Sequence, residues 1–348
     1  VVRFLGSRSY WSYGFEQLGL WQLEKPNRKL IVVSGIESTA NDLKDISSLK
    51  EVQVDFIQLL LNQGGLKNYN YFLHLLDKLI SLKEIKLDKS LIDFHDELVK
   101  WNWTDNDYPN VAIFLYKSLL QAGNTELADS IIEISKRHQI NPKIVWITSF
   151  KSKDIQKEVI NLLDNEKIEA IITTTSFSSV EHKHDDIQNS LWDSFNVPVY
   201  QLLISSSSIN EWKKSTVGLN PIDLSIQVVL PEVDGRICTV PIAFKNLSYT
   251  DNELSISVYK TEPYEKHIEW CFKYIKNLVY LRKTSNSKKK IAVVLANYPV
   301  KDSRIANGVG LDTPESLLNI LRWLKHEGYN LGDDPLPETS KELINKLI

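Results

Sequence analysis

The feature that most constrains the fold of this chain is a series of four short apolar runs in its middle third. They are residues 111–116 (VAIFLY), 143–147 (KIVWI), 169–173 (EAIIT) and 197–204 (VPVYQLLI). Amphipathic helical patterns at 126–138, 154–163 and about 185–194 separate them. Strands that are apolar on both sides and alternate with helices predict a parallel sheet covered on both faces. We therefore expect a Rossmann-like, doubly wound parallel-sheet domain over 107–215.

The flanks of this domain predict further helices and strands. On its N-terminal side, the pattern predicts a strand at 29–33 and amphipathic helices at 52–62, 69–82 and 91–101. On its C-terminal side, it predicts a helix at 221–230, a strand at 237–244 and a long helix at 263–281. These elements indicate that the sheet domain belongs to a larger α/β protein.

A second strand–helix pattern begins near the C-terminus, after a basic stretch at 282–290 with the composition of a linker. It consists of a strand at 291–296 and a helix at 314–327, whose expected N-cap is Thr313. The chain opens on an apolar run and stops inside a helical pattern at 340–348, so we expect an excised fragment. The prediction is a multi-domain α/β protein with a head region at 1–106, the sheet domain at 107–215, an α+β connecting region at 216–285 and the start of a further α/β domain at 286–348.

Composition excludes several classes of function. The net charge of −3 argues against a nucleic-acid or membrane-surface protein, since both need a basic face. No apolar stretch approaches the roughly 20 residues of a membrane span, and the first residues lack a signal-peptide pattern. The two cysteines, Cys238 and Cys271, lie in apolar patterns, which predicts buried thiols. We expect a cytoplasmic protein.

Small polar residues follow the predicted parallel strands. Because ligands of doubly wound sheets approach the carboxyl ends of the strands, these residues are candidates for binding. They are Tyr116, Asn124, Ser149, Lys151 and Ser176. Together with helix N-termini they would suit an anionic group such as a carboxylate. The alternative is that the Ser and Thr residues of these loops only cap the helices that follow.

Two further motifs carry weaker signals. Residues 181–186 (EHKHDD) concentrate imidazoles and carboxylates, but a His-x-His without a distant third ligand favours a solvated loop. Residues 307–314 (NGVGLDTP) place glycines before a helix, which fits an anion cradle or a tight turn equally well. We predict no metal site, and no catalytic residue is identified.

Several long motifs, in order along the chain, resemble the large subunit of cobaltochelatase and, more distantly, the H subunit of magnesium chelatase. The early motifs are residues 3–6 (RFLG), 10–14 (YWSYG), 63–68 (QGGLKN), 121–125 (QAGNT) and 149–151 (SFK). The strongest motifs are residues 218–224 (GLNPIDL), 230–237 (LPEVDGRI), 295–299 (LANYP) and 304–314 (RIANGVGLDTP). Lys117 stands where the family usually has arginine. The last two motifs favour the cobalt branch.

The resemblance implies the tetrapyrrole-binding subunit of an ATP-dependent cobaltochelatase, which inserts Co(II) into a corrin precursor of the hydrogenobyrinic acid a,c-diamide type. It implies an AAA+ ATPase subunit and that subunit's partner as further components. The complex would use ATP and Mg²⁺, with no cofactor bound by this fragment. It adds candidate macrocycle contacts, which are Glu232, Asp234, Arg236, Asn297, Arg304 and Asp312. The alternative for Asp234, Arg236 and Arg304 is a structural pin at a domain junction.

Two other interpretations stay open from the sequence. One is a magnesium-chelatase H subunit that inserts Mg(II) into protoporphyrin IX. The other is a scaffold or interaction region without chemistry of its own. The isolated fragment is expected to have no chelatase activity, even with its partner subunits and ATP.

Overall fold

The structure is a computed structural model that describes residues 1–4, 6–25, 27–35, 41–94, 96–180, 190–253, 255–296, 306, 308 and 310–347. The chain divides into two compact units, Val1–Phe272 and Lys273–Ile348. The division into four domains stays a prediction. None of the helices in the described ranges is long and apolar enough to cross a membrane.

The described residues of the first unit form nine strands in two sheets. They are β1 (Val2–Phe4), β2 (Val32–Ser34), β3 (Leu98–Trp101), β4 (Asn110–Tyr116), β5 (Asn141–Ile147), β6 (Ile168–Thr173), β7 (Val199–Ser205), β8 (Ile237–Asp251) and β9 (Ile256–Pro263). β1 and β2 pair in parallel, and the other seven form one sheet in the order β3-β5-β4-β6-β7-β8-β9. β3 and β9 are antiparallel edge strands, whereas the five strands between them are parallel.

The order of the five parallel strands confirms a doubly wound sheet. Numbered from β4, the order is 2-1-3-4-5, which is the flavodoxin-like variant of this architecture. The direction of the connections reverses between β4 and β6, and this topological switch point is where such sheets bind ligands. The four predicted strands are present, but three more extend the sheet beyond residues 107–215.

Most of the predicted helices are present, and further helices lie at positions where none was predicted. They are α1 (Ser12–Glu24), α2 (Glu51–Gln63), α3 (Leu66–Ile80), α4 (Lys117–Gln121), α5 (Glu126–Arg137), α6 (Lys153–Leu163), α7 (Ile209–Lys214), α8 (Pro221–Leu224), α9 (Leu230–Val233), α10 (Glu265–Lys283), α11 (Thr313–His326) and α12 (Ser340–Leu347). A π-helical segment, Ser225–Val229, joins α8 to α9. The predicted helix at 221–230 is therefore present with one unusual turn.

Both faces of the sheet are covered. Phe114 and Val145 on one face pack with Val159 and Leu163 of α6 and with Trp192. Right-handed crossovers on the two sides of the switch point place α5 on the opposite face, where its Ile131 is fully buried. The central residues of β4, β5, β6 and β7 are buried, which explains why these strands appear in the sequence as unbroken apolar runs.

The N-terminal region shows why one of the quoted motifs contains glycine. A Cβ atom on Gly14 would lie 1.9 Å from the ring of Trp11, so only glycine allows this ring to approach the helix. Trp11 in turn stacks on Phe4, with ring centroids 5.9 Å apart. The RFLG and YWSYG motifs therefore pack against each other.

Two sequence expectations in the first unit are wrong. Residues 91–101, expected as a helix, contain β3 instead. Leu98–Trp101 pairs with β5, and this tertiary pairing overrides a local pattern that also fits a helix. The described part of the expected helix at 185–194 is only a 3₁₀ turn, Leu191–Ser194, and the rest lies outside the described residues.

The second unit also differs from expectation in two places. Residues 291–296 form no strand: no strand of the described part of the chain pairs with them, although the carbonyl of Ala296 accepts the N–H of Ala306 at 2.9 Å, and Val294 is 91% exposed. The N-cap of α11 is Asp312 rather than Thr313, since its carboxylate accepts the N–H of Glu315 at 3.0 Å. Leu317 and Leu318 of α11 pack on Leu343 of α12.

Candidate functional site

The topological switch point between β4 and β6 is closed by a direct contact. Tyr116 ends β4, and its hydroxyl accepts the backbone N–H of Ser176, in the loop after β6, at 2.8 Å. Both residues are half-buried. The structure therefore brings together two of the residues predicted from strand ends, at the edge where doubly wound sheets bind ligands.

The loop after β6, residues 174–179, is fixed along its whole length. Thr174 donates its backbone N–H to the carbonyl of Phe114 at 3.0 Å, and Phe177 donates to the carbonyl of Ile226 at 2.8 Å. Ser179 donates both its N–H, at 2.6 Å, and its hydroxyl, at 2.7 Å, to Oδ2 of Asp234. These bonds to three different segments leave the loop little freedom to change conformation.

A buried ion pair anchors the same loop. The side chains of Arg236 and Asp234 are 1% and 0% exposed, and Nε of Arg236 lies 3.0 Å from Oδ1 of Asp234. The guanidinium also donates to the carbonyls of Thr175, at 3.0 Å, and Phe177, at 2.9 Å. Its carbon lies 5.2 Å from the ring centroid of Trp192. Burial lowers the pKa of Arg236 below its ordinary value, and the charge of Asp234 opposes this shift.

The geometry of this pair corresponds to the structural pin that the sequence left open. Arg236 also donates to Oε1 of Gln201, a buried residue of β7, at 2.9 Å. It thus ties the loop after β6 to β7 and to the start of β8. Because both charges are buried and paired with each other, neither is placed to contact a ligand directly.

Phe177 is the outward-facing residue of this anchored loop. Its φ of +67° is left-handed, which costs roughly 1–2 kcal/mol for a residue with a Cβ atom. Its N–H donates to the carbonyl of the half-buried Ile226 and its carbonyl accepts from the buried Arg236, yet its side chain is 42% exposed. Sequence analysis did not identify Phe177 as a site residue, because no residue pattern signals a left-handed aromatic.

Lys151 lies against Phe177. Its ammonium is 5.3 Å from the centroid of the ring, and the residue is exposed. Its backbone N–H donates to the hydroxyl of Ser149 at 3.2 Å. Since Ser149 and Lys151 follow β5, three parallel strands contribute to one surface at the carboxyl edge, which we call the switch-point surface: Tyr116, Ser149, Lys151, Ser176 and Phe177.

Other predicted site residues lie elsewhere or serve other purposes. Asn124 donates its backbone N–H to Leu119, and its side-chain oxygen is buried without a partner among the described residues. Glu232 is exposed in α9, and Asp312 caps α11 in the second unit. Asn297, Arg304 and the 181–186 segment lie outside the described residues.

Two of the motifs that carry the resemblance are hydrogen-bonded to each other within the first unit. The side chain of Gln121 donates to the carbonyl of Gln63 at 2.8 Å, while its own backbone carbonyl accepts the N–H of Gly65 at 2.7 Å. Gly64 has a φ of +63°, and a Cβ atom there would lie 2.8 Å from Cβ of Gln121. The QGG and QAG motifs therefore fix the α2–α3 corner to the loop after β4.

The GLNPIDL motif lies at the end of β7 and is hydrogen-bonded to it. Asn220 caps α8 by accepting the N–H groups of Ile222 and Asp223. The carboxylate of Asp223 accepts the backbone N–H of Ser206 at 2.7 Å. In the π segment, Gln227 accepts the N–H of Ile204 at 2.7 Å and donates to its carbonyl at 2.6 Å. These polar side chains hold the helix on the strand.

The remaining ionisable candidates show no catalytic arrangement. Burial raises the pKa of both the Cys238 and the Cys271 thiols to about 11, so neither is a ready nucleophile. In the part of the chain that the structure describes, no three His, Cys, Asp or Glu side chains lie together as a metal site would require.

The chain is similar to metal-chelatase subunits over most of its length. A family model described as CobN/Magnesium Chelatase matches residues 59–348. The aerobic cobaltochelatase subunit CobN of Pseudomonas aeruginosa is 32% identical over 99% of this chain and 28% of its own length. The magnesium-chelatase H subunit of Chlorobaculum parvum is 27% identical over 70% of this chain and 18% of its own length.

A solved structure, the catalytic subunit of cobaltochelatase from Mycobacterium tuberculosis, shares the fold with a TM-score of 0.71 and 23% identity. It covers 99% of this chain, and the chain covers 29% of it. The chain thus spans less than a third of the length of these relatives. Because the family model covers most of the sequence, the chain belongs to the CobN/magnesium chelatase family.

Proposed function

We propose that this chain is part of the large, macrocycle-binding subunit of a metal chelatase that inserts Co(II) into a corrin precursor. The observation that carries the proposal is the likeness to the Pseudomonas aeruginosa CobN subunit along 99% of the chain, at 32% identity. Magnesium-chelatase H subunits are 22–28% identical over 52–73% of it. This difference supports cobalt over magnesium as the metal substrate.

The switch-point surface is our candidate for contact with the macrocycle. It presents an exposed ammonium on Lys151, an exposed ring on Phe177, and the half-buried Tyr116, Ser149 and Ser176. A corrin precursor carries carboxylate or amide arms around a conjugated ring, so a cation beside an aromatic ring is a complementary surface. In this role the chain binds and orients the macrocycle.

Metal insertion itself requires more than binding. The pyrrole nitrogens must lose their protons while Co(II) sheds water, and both steps need groups preorganised around the metal path. We assign no residue of this chain to those steps. An AAA+ ATPase subunit and its partner would supply ATP hydrolysis, with Mg²⁺ as the nucleotide's cation.

The test is macrocycle binding and metal insertion by the subunit that carries this chain, assembled with its partners. We expect Lys151→Ala to bind the corrin precursor more weakly than wild type does. Lys214→Ala is the matched control, since Lys214 is an exposed lysine that is not one of the residues of the switch-point surface. Insertion of Co(II) in preference to Mg(II) would support the cobalt assignment. Preference for Mg(II) would instead assign the chain to the magnesium branch.

A specific observation favours a second candidate, a scaffold without ligand contacts. Gln121, Asp223, Asp234 and Arg236, all in motifs shared with the family, make internal hydrogen bonds. If the chain is only a scaffold, macrocycle binding does not depend on Lys151. Loss of the scaffold would nevertheless abolish assembly of the complex. Measuring binding and assembly on the same variants separates the two functions.

A further inference from the structure

The loop after β6 is built to hold one exposed ring in a fixed place. Phe177 has the left-handed φ that glycine adopts at no steric cost, yet a large aromatic occupies the position. Its backbone is fastened at the N–H by Ile226 and at the carbonyl by Arg236. Backbone strain that the surroundings enforce in this way is concentrated at sites of function. We therefore expect the exposed ring of Phe177 to be the functional part of this loop.

Lys151 places a positive charge beside the exposed ring of Phe177. Its ammonium lies 5.3 Å from the centroid of the Phe177 ring, and no carboxylate of the described residues pairs with it. Lys157, on the following helix, is paired with Asp154 at 3.3 Å by contrast. The charge over the ring is thus available to an anion that approaches the same face.

We infer that Phe177 and Lys151 form a two-part recognition element for a conjugated ring that carries a carboxylate. The ring of Phe177 stacks on the edge of the macrocycle, and the ammonium of Lys151 pairs with one of its carboxylate arms. Arg236 acts as a positioning residue, because it fixes the carbonyl of Phe177 without reaching the ligand. The inference rests on the proposed function, since it takes the macrocycle as the ligand.

The first experiment separates the ring from the backbone strain. Phe177→Gly removes the ring but suits the left-handed φ, so the melting temperature should stay the same or rise. Affinity for a soluble dicarboxylate porphyrin should fall about threefold to tenfold, and Phe177→Tyr should restore it. Phe94→Gly is the matched control, because Phe94 is another exposed phenylalanine, at 57%, and lies outside the switch-point surface.

The second experiment separates charge from stacking. Lys151→Gln should weaken binding of the dicarboxylate porphyrin about threefold at low salt, and the difference should shrink as salt increases. With the dimethyl ester of the same porphyrin, Lys151→Gln should bind as wild type does, while Phe177→Gly should still bind weakly. Lys214→Gln serves as the control for loss of a surface charge.

The outcomes distinguish this inference from the proposed function. If the wild-type protein binds the porphyrin and both variants bind equally well, the recognition element and the switch-point surface as the binding site are refuted, while the assignment to a macrocycle-binding subunit stands. If Phe94→Gly weakens binding as much as Phe177→Gly, the inference also fails. If the wild-type protein binds no tetrapyrrole, the proposed function fails, and the inference that depends on it fails too.

Discussion

The two ends of the parallel sheet each bury a cation, but they treat its partners differently. Beyond the carboxyl end of β6, Arg236 and Asp234 are 1% and 0% exposed. At the amino end of β5, Lys143 is 2% exposed, whereas its partners Asp105 and Glu166 are 98% and 25% exposed. Nζ of Lys143 lies 2.7 Å from Asp105 and 3.2 Å from Glu166.

The two ion pairs differ in whether their carboxylates are in contact with water. The carboxylates that face Lys143 stay in contact with solvent, so this pair stabilises the sheet without dictating one arrangement. Any displacement of the loop after β6 would remove the hydrogen bonds that Arg236 and Asp234 make to Thr175, Phe177 and Ser179 while the ion pair stays buried, which is unfavourable. The pair at the carboxyl end therefore determines a conformation, and the pair at the amino end mainly adds stability.

The largest effect should follow from breaking the fully buried pair. Asp234→Ala leaves Arg236 as an unpaired buried charge, so the free energy of unfolding should fall by about 3–5 kcal/mol. Urea denaturation measures it. The double variant Asp234→Ala/Arg236→Met removes both charges and should recover part of the loss. A double variant no more stable than the single one would show that the charge imbalance is not the cause.

A smaller effect is expected at the amino end. Lys143→Met keeps the buried stem and leaves two carboxylates that water can solvate, so the loss should be about 1–2 kcal/mol. Burial disfavours the ammonium, but its hydrogen bonds to Asp105 and Glu166 outweigh this and raise the pKa of Lys143. The stabilisation is therefore present below the ordinary lysine pKa and is lost as pH rises through the raised value. Denaturation at neutral and strongly alkaline pH tests this, and a loss equal to that of Asp234→Ala would contradict the comparison.

Asp105→Asn should have a slight effect with a defined pH dependence. The hydrogen bond from Lys143 lowers the pKa of the Asp105 carboxyl below its ordinary value. Its contribution is present above the ordinary carboxyl pKa and disappears as pH falls through the lowered one. The melting temperatures of wild type and variant should differ at about pH 6 and coincide at about pH 2. A difference that persists unchanged in acid would exclude the charge as its source.

The smallest effect is a local change in thiol reactivity at the carboxyl end of the parallel sheet. Cys238 follows Arg236 by two residues, and burial raises the pKa of its thiol to about 11. Alkylation at about pH 8 should be slow for Cys238 and Cys271 in the wild type. In Asp234→Ala, Cys238 should react faster while Cys271 changes less, as mass spectrometry of the alkylated peptides would show. Equal acceleration of both thiols would indicate global unfolding instead.

The central strands could be predicted because burial on both faces makes each one a continuous apolar run. The edge strands could not. β9 (ISVYKTEP) is largely exposed and polar, and Leu98–Trp101 is short enough to fit a helical pattern. Residues 291–296 show the opposite failure, since an apolar run forms a strand only where a neighbour accepts its hydrogen bonds.

The candidate site was predictable to the extent that strand ends are predictable. Tyr116, Ser149, Lys151 and Ser176 follow from the rule that parallel strands deliver their loops to one edge. The contact between Arg236 and the loop joins residues about 60 positions apart and has no local signal. The left-handed backbone of Phe177 has none either, because its cause lies in that distant contact.

The π segment between α8 and α9 has a consequence for how the gene can vary. Each residue added to or removed from a helix rotates everything after it by about 100°. Gln227 in this segment is bonded to β7, and Asp234, just after α9, must reach Ser179. One insertion or deletion between Asn220 and Gln227 would therefore release both contacts, and one between Gln227 and Asp234 would release the contact of Asp234. Substitutions at exposed positions such as Val229 would release neither. Over evolutionary time this stretch should tolerate changes of residue type but not of length.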